Sequence, residues 1–148
     1  MSYKIIIVDD EEQILTALET FFSLRGFDVV TCSDPVAALE RIRSDKIHVA
    51  LLDINMPQMT GIELLKRIKE SRPTVQIVMM TAYTTIEKAI ECVENGAGDY
   101  LLKPFHDLDE LLSIVRMAAE RVRRWEAAAK ESLRNPTDVT AHRPLNTP

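Results

Sequence analysis

The feature that most restricts the fold of this chain is a regular alternation between short apolar runs and helical patterns. Residues 5–8 form an uninterrupted β-branched run followed by acids, which is typical of a strand buried on both faces. Apolar side chains then recur at steps of three and four over residues 14–22, and Gly26 stands where a helix would end. The same alternation follows at four further apolar runs, namely residues 29–32, 49–52, 75–80 and 100–102. Five β–α units in about 110 residues predict an α/β fold with a parallel sheet and helices on both of its faces.

Composition narrows the class of protein. The 148 residues carry a net charge of -5, which disfavours broad nucleic-acid binding, and no apolar run approaches the roughly 20 residues of a membrane span. Cys32 and Cys92 lack metal-ligand spacing and are typical of buried free thiols in a reducing compartment. Residues 1–110 carry 11 basic and 19 acidic side chains, whereas residues 111–148 carry 7 and 4. We therefore expect a cytoplasmic domain with an appendage, and neither nucleic-acid nor membrane partners.

Polar side chains stand directly after four of the expected strands. Asp9 and Asp10 follow the first strand, Asp53 the third, Thr81 the fourth and Lys103 the fifth. In parallel sheets, ligands bind beyond the carboxyl ends of the strands, where the strand order reverses. Three carboxylates, one hydroxyl and one ammonium are therefore expected to converge on one edge of the sheet.

Each of these residues also has a purely structural interpretation. Asp9 or Asp10 could cap the helix that follows, as could Thr81, and Asp53 could cap a turn. Lys103 could be a solvated surface charge. In combination these interpretations weaken, because three acids within a few ångströms repel one another and one would have to remain protonated without compensation.

A divalent cation together with Lys103 would supply that compensation. Oxygen ligands without His or Cys among them suit Mg²⁺, and such a site commonly takes further ligands from a phosphate. Lys103 and the Thr81 hydroxyl would then hold phosphoryl oxygens. Asp53, on the central strand, can attack phosphorus and carry the group as an acyl phosphate.

Four short motifs stand at these strand ends, in the order Ile7-Val8-Asp9-Asp10, residues 51–61 (LLDINMPQMTG), Met80-Thr81-Ala82 and Tyr100-Leu101-Leu102-Lys103-Pro104. With them the chain resembles, over about residues 4–123, the receiver domain of bacterial two-component response regulators. The local sequence is most similar to receivers of enhancer-binding transcriptional activators. The resemblance implies a flavodoxin-like (βα)5 three-layer sandwich whose parallel five-stranded sheet has the order 2-1-3-4-5.

The resemblance also assigns the residues of a phosphoryl site. Asp53 is implied as the phosphoacceptor, which takes the group from a phosphohistidine of a sensor histidine kinase or a phosphotransfer protein. Asp10 and Asp53 are implied as direct Mg²⁺ ligands, Asp9 as a ligand partly through water, and Asn55 as a ligand through its backbone carbonyl. Lys103 is implied to contact the phosphate.

A switch is implied by the same resemblance. Thr81 and the backbone of Ala82 would bind the phosphoryl group, Thr81 would move toward it, and Tyr100 would turn inward to fill the vacated space. The surface of the fourth helix, fifth strand and fifth helix would then change its partner preference, as a population shift between two packings. The bond from Lys103 to Pro104 is commonly cis in similar proteins, a feature that proline permits.

Two positions are expected to tune the lifetime of the acyl phosphate. Asn55 stands two residues after the phosphoacceptor, and Tyr83 stands two residues after Thr81. In similar proteins these side chains border the path of the hydrolytic water. The bulky Tyr83 is therefore expected to slow self-dephosphorylation.

The organisation that follows is a receiver domain over residues 1–123, an extension of the last helix over residues 124–134, and a disordered tail over residues 135–148. The extension is expected to be a linker or a short coiled coil, with a helix that frays into solvent as the alternative. A homodimer could form through this extension or through the switch surface. The output partner is undefined, and the chain is either a stand-alone regulator or the front end of a longer protein.

Other classes of function are less compatible with the residues. A phosphatase of the haloacid dehalogenase type needs an acid two residues after its nucleophile, and here that position is Asn55. A nucleotide-binding module needs a glycine-rich turn after the first strand, where this chain has four acids. A degenerate receiver that binds partners without phosphorylation would not need all five site residues. The expected chemistry is limited to phosphorylation and dephosphorylation of the chain's own aspartate, so it is not an enzyme acting on other substrates.

Overall fold

A computed structural model describes residues 2–82 and 85–134, in which five strands alternate with five helices. The strands are β1 Lys4–Val8, β2 Asp28–Cys32, β3 Val49–Asp53, β4 Gln76–Thr81 and β5 Asp99–Leu102. The helices are α1 Glu12–Ser23, α2 Pro35–Ser44, α3 Gly61–Ser71, α4 Ile86–Glu94 and α5 Leu108–Arg134. All neighbouring strands pair in parallel, in the order β2-β1-β3-β4-β5. The predicted flavodoxin-like fold class and strand order are confirmed.

Two apolar clusters cover the two faces of the sheet. Successive residues of β1 alternate between them, with Ile6 and Val8 packed toward α2 and α3 and with Ile5 and Ile7 packed toward α1 and α5. Residues 5–8 are fully buried, as the uninterrupted apolar run predicts. Each buried aliphatic side chain of this kind contributes about 1.5–3 kcal/mol to folding. The two clusters therefore hold the strands, and with them the strand ends, in fixed positions.

Helix boundaries follow from local sequence signals. The Asp34 carboxylate accepts a hydrogen bond of 3.0 Å from the backbone N–H of Val36, and Pro35 occupies the first turn of α2. Gly26, with a φ of +88°, and Gly96, with a φ of +100°, lie just past the ends of α1 and α4. Only glycine adopts this left-handed conformation readily, which explains why the chain turns at these two positions.

The last helix continues beyond the sheet. In α5 the last buried residue is Val122, and the side chains that follow include an exposed Trp125 and Leu133. Glu126 forms an ion pair of 2.6 Å with Lys46, in the loop between α2 and β3. The distal part of α5 is thus a continuation of the same helix, and this ion pair links it to the body of the domain. None of the helices described is both long enough and apolar enough to span a membrane.

The two cysteines differ in their surroundings. Cys92, a residue of α4, is buried, whereas Cys32, at the end of β2, is only half-buried, and both are free thiols. The expectation of a buried thiol therefore holds for Cys92 and is wrong for Cys32. The reason is that β2 is an edge strand, whose end is covered on one side only.

Candidate functional site

Three carboxylates meet at the carboxyl edge of the sheet. Asp9 and Asp10 directly follow β1, and Asp53 is the last residue of β3, its neighbour in the sheet. One carboxylate oxygen from each residue lies within 4.8 Å of the others. The arrangement brings together the three acids that the sequence placed at the strand ends.

The three acids differ in burial and in charge balance. Asp9 is fully buried and Asp53 nearly so, whereas Asp10 faces solvent. Burial raises the pKa of Asp53 to about 6, and the negative charge of Asp9 adds to this, while Lys103 opposes it. Three carboxylates face the single ammonium of Lys103, so the site carries surplus negative charge. A hard divalent cation fits such an all-oxygen donor set, with Asp9, Asp10 and Asp53 as the residues able to hold it.

Lys103 supplies the positive charge of the site. Its side chain is 5% exposed, and its Nζ lies 2.5 Å from Asp9 Oδ2, 3.3 Å from Glu11 Oε1 and 3.6 Å from Asp53 Oδ1. Burial alone would lower the pKa of Lys103, but the hydrogen bond to Asp9 and the charge of Asp53 raise it above the ordinary value. Lys103 is therefore a fully charged ammonium at neutral pH, within reach of a group attached to Asp53.

The backbone around Lys103 is anchored to the neighbouring strand. The Lys103 N–H donates a hydrogen bond of 2.8 Å to the carbonyl of Thr81, and the peptide bond to Pro104 is cis. Thr81, the last residue of β4, is fully buried, and Ala82 after it is exposed. The ends of β4 and β5 thereby bring Thr81 and Lys103 to the edge of the sheet at which Asp53 ends β3.

The remaining predicted residues lie around this cluster. Asn55 is exposed in the loop after β3, two residues from Asp53. Tyr100, in β5, is half-buried and packs against the apolar cluster on the α3 side of the sheet. Tyr83 lies outside the described residues.

The helix-capping alternatives for Asp9, Asp10 and Thr81 are wrong. The N-cap of α1 is Glu11, and Asp9 Oδ1 instead accepts the backbone N–H of Glu11 at 2.9 Å. The N-cap of α4 is Thr85, whose hydroxyl accepts the N–H of Lys88 at 3.2 Å, so Thr81 is not a cap. Asp9, Asp10 and Thr81 therefore owe their positions to the strand ends rather than to helix capping.

Two further residues shape the site, and the sequence analysis gave neither of them a role. A Cβ on Gly61, the first residue of α3, would lie 2.0 Å from the backbone oxygen of Asp53. Gly61 therefore lets the loop after β3 close tightly over the back of Asp53, and its N–H donates to the carbonyl of Ile54 at 2.8 Å. Glu11 reaches Lys103 from α1, and its only signal in the sequence is a third acid directly after Asp9 and Asp10.

Comparisons with known proteins agree with this geometry. The family model described as the response regulator receiver domain matches residues 5–116. The regulatory protein AtoC of Escherichia coli is 40% identical over 117 residues, which is 79% of this chain and 25% of AtoC. The chain spans between about a quarter and three fifths of the length of the curated relatives it matches.

Solved structures give the same result. A CheY-like response regulator receiver domain protein from Methanospirillum hungatei superimposes with a TM-score of 0.78 at 29% identity, covering 84% of this chain and 99% of the other. The beryllofluoride-activated NtrC4 receiver domain, solved as a dimer, superimposes with a TM-score of 0.76 at 27% identity and covers 80% of this chain and 98% of that one. Both are similar in fold over nearly their full lengths.

Proposed function

The chain belongs to the response regulator receiver domain family, and on that premise we propose that Asp53 is the phosphoacceptor of a two-component signalling pathway. Its donor would be a phosphohistidine on a sensor histidine kinase or a phosphotransfer protein, and Mg²⁺ would be its cofactor. The observation that supports this most strongly is the convergence of Asp9, Asp10 and Asp53 with the buried ammonium of Lys103. Placement in the cytoplasm is part of the same proposal.

The metal would be held by the acids already described. Asp10 and Asp53 are the proposed direct ligands, with Asp9 acting partly through water and the carbonyl of Asn55 completing the protein's share. Bound Mg²⁺ would neutralise the surplus negative charge and so allow an anionic donor to approach Asp53. The negative charges of Asp9 and Asp10, which add to the effect of burial on the pKa of Asp53, support this, because the same charges would attract a cation.

With Mg²⁺ held by the acids, the chemical step would take place between Asp53 and the donor. A carboxylate oxygen of Asp53 attacks phosphorus, the bond from phosphorus to the imidazole nitrogen breaks, and its electron pair stays on that nitrogen. Lys103, the Thr81 hydroxyl and the backbone N–H of Ala82 would hold the phosphoryl oxygens. Water would later attack the acyl phosphate, which releases inorganic phosphate and restores the Asp53 carboxylate, so the chain would act on its own aspartate and on no other substrate.

Phosphorylation would be transmitted through Thr81 and Tyr100. The new group adds negative charge and strong acceptors beside the end of β4, which favours a packing in which Thr81 lies closer to Asp53. Tyr100, half-buried on the neighbouring strand, would then turn inward. The surface of α4, β5 and α5 carries exposed apolar side chains, namely Ile86, Ile90, Val93 and Leu102. Such a patch supports a change of partner at this surface.

We also propose a partner for the α4-β5-α5 surface, namely a second copy of the chain. Either the α4-β5-α5 surface or the distal part of α5 would support a homodimer, and the dimer formed by the related NtrC4 receiver supports one.

We propose residues 1–123 as the receiver and residues 124–134 as a linker or short coiled coil. Residues 135–148, expected to form a disordered tail, lie outside the described residues. Because the match covers only 25% of AtoC, an output region joined to this receiver is the form of coupling that this relative favours.

Beryllofluoride, a stable analogue of a phosphoryl group, tests this proposal without a phosphoryl transfer reaction. With Mg²⁺ present, we expect amide chemical shifts to change at Asp53, Thr81 and Tyr100 and along the α4-β5-α5 surface. The changes should vanish in Asp53→Asn and in the presence of a chelator. Shift changes that persist in Asp53→Asn would contradict the assignment of Asp53.

A further inference from the structure

Glu11 stands at the N-cap position of α1, but its side chain contacts Lys103 instead of capping the helix. It is the N-cap residue of α1, but its carboxylate makes no capping hydrogen bond with the described residues. Instead, Glu11 Oε1 lies 3.3 Å from the Nζ of Lys103, a residue 92 positions away in the sequence. The contact indicates a role at the phosphoryl site rather than in the helix.

The position of Glu11 is fixed from two directions. Its backbone N–H donates to Asp9 Oδ1 at 2.9 Å, and its carboxylate meets the Lys103 ammonium. Asp9 and Asp53, the other acids that contact Lys103, are buried, whereas the Glu11 side chain is 60% exposed. Glu11 therefore places a negative charge at the open, water-facing rim of the site.

The direction in which the leaving group departs from phosphorus determines whether it meets the negative charge of Glu11. Attack by Asp53 proceeds in line, so the leaving group lies on the far side of phosphorus from Asp53. Because Asp53 is enclosed by protein, the far side is the open rim. A phosphorylated imidazole or a phosphoramidate that already carries a proton on its nitrogen group releases neutral imidazole or ammonia, which keeps the electron pair of the broken P–N bond. An acyl phosphate releases a carboxylate, which carries the electron pair of the P–O bond as a full negative charge.

We propose that Glu11 is a specificity-determining residue that disfavours acyl phosphates relative to donors with a neutral nitrogen leaving group. The inference rests on the proposed function and deepens it, since it concerns which donors Asp53 accepts. A negative charge at the rim repels a developing carboxylate and leaves a neutral imidazole unaffected.

The test compares acetyl phosphate with phosphoramidate. Initial rates of Asp53 phosphorylation give the second-order rate constant for each donor in the wild type, Glu11→Gln, Glu11→Asp and the control Glu12→Gln. Glu12 lies in the first turn of α1, one residue further along and also exposed. We expect Glu11→Gln to raise the preference for acetyl phosphate over phosphoramidate by about three- to tenfold at low salt. The gain should shrink at high salt, as expected for a solvent-exposed charge.

The control variants separate charge from structure. Glu11→Asp should restore most of the wild-type donor preference, and Glu12→Gln should leave it unchanged. In the absence of Mg²⁺, the ¹⁵N chemical shift of the Lys103 ammonium reports on its contact with Glu11. This chemical shift should change in Glu11→Gln and not in Glu12→Gln. Equal acceleration with both donors, or the same change of preference in Glu12→Gln, would overturn the role of Glu11. If wild-type Asp53 accepted phosphate from neither donor, the proposed function would fall, and the role of Glu11 with it.

Discussion

At the scale of single residues, the chemistry depends on Asp53 lying between opposing charges. Burial and the charge of Asp9 raise the pKa of Asp53 to about 6, and Lys103 lowers it, at a distance of 3.6 Å. Without a cation the site therefore contains more negative charge than Lys103 balances. This imbalance makes the site receptive to Mg²⁺ and also costs stability.

The stability cost has a defined pH dependence. The folded-state pKa of Asp53 lies above its ordinary value of 3.8, so protonated Asp53 stabilises the fold relative to ionised Asp53. This stabilisation is fully present below pH 3.8 and is lost as the pH rises to about 6. In the absence of divalent cations we expect Asp53→Asn to raise the free energy of unfolding by about 2–3 kcal/mol at pH 7. At pH 4 the two proteins should differ little. Denaturant unfolding at both pH values checks this, and an equal difference at pH 4 and pH 7 would contradict it.

Tyr83 supports a kinetic prediction of its own. It stands two residues after Thr81, where a bulky side chain is expected to shield the acyl phosphate from water. We expect Tyr83→Ala to accelerate the loss of the phosphoryl group several-fold, and Tyr83→Phe to retain the slow rate. Decay of phosphorylated protein after removal of the donor measures this. An unchanged decay rate in Tyr83→Ala would mean that this side chain does not shield the bond.

At the scale of elements, the loop between β3 and α3 depends on one glycine. A Cβ on Gly61 would lie 2.0 Å from the Asp53 carbonyl oxygen, which is backbone and has no flexible end to move aside. We expect Gly61→Ala to lower the free energy of unfolding by about 1–3 kcal/mol, as overpacking typically does, and to slow phosphorylation by displacing Asp53.

Gly98 provides the matched control. A Cβ there would meet its nearest atom, the Ile77 carbonyl oxygen, at 3.5 Å, which is ordinary van der Waals contact. Gly98→Ala should therefore leave both phosphorylation and stability nearly unchanged. If the two alanine variants behaved alike, the close approach at Gly61 would not be what orders the loop.

The elements themselves were largely predictable because their signals are local. The apolar run at residues 5–8 and the Asp34-Pro35 start of α2 depend on neighbouring residues only, and the parallel order of strands then places Asp53 beside Asp9. The contact between Glu11 and Lys103 and the approach of Gly61 to Asp53 were not predictable in this way. Both depend on distances set by packing between separate elements, and residue spacing does not encode those distances.

At the scale of the whole molecule, the charge is divided between two regions. The acidic site lies at one edge of the sheet, while the net positive excess lies in residues 111–148, with 7 basic and 4 acidic side chains. Burial in α5 ends at Val122, and beyond it the exposed ion pair between Lys46 and Glu126 links the helix to the body of the domain. The body of the domain and the distal helix are therefore expected to be separable.

Removal of residues 124–148 tests this separation. An exposed ion pair contributes about 0–1 kcal/mol, so the shortened chain should keep its free energy of unfolding to within about 1 kcal/mol. It should also keep its rate of phosphorylation, because residues 1–123 contain every proposed site residue. Thermal unfolding and phosphorylation rates check both expectations, and an unfolded or inactive 1–123 chain would show that the distal helix belongs to the core.

The most direct measurement is the intact mass of the chain after incubation with Mg²⁺ and a small phosphodonor such as acetyl phosphate or phosphoramidate. We expect the wild type to gain the mass of one phosphoryl group, and the gain to be lost when Mg²⁺ is chelated. Asp53→Asn, which keeps the size of the side chain and removes the nucleophilic carboxylate, should gain nothing. No gain in the wild type with either donor, or an equal gain in Asp53→Asn, would contradict the assignment of Asp53 as the phosphoacceptor.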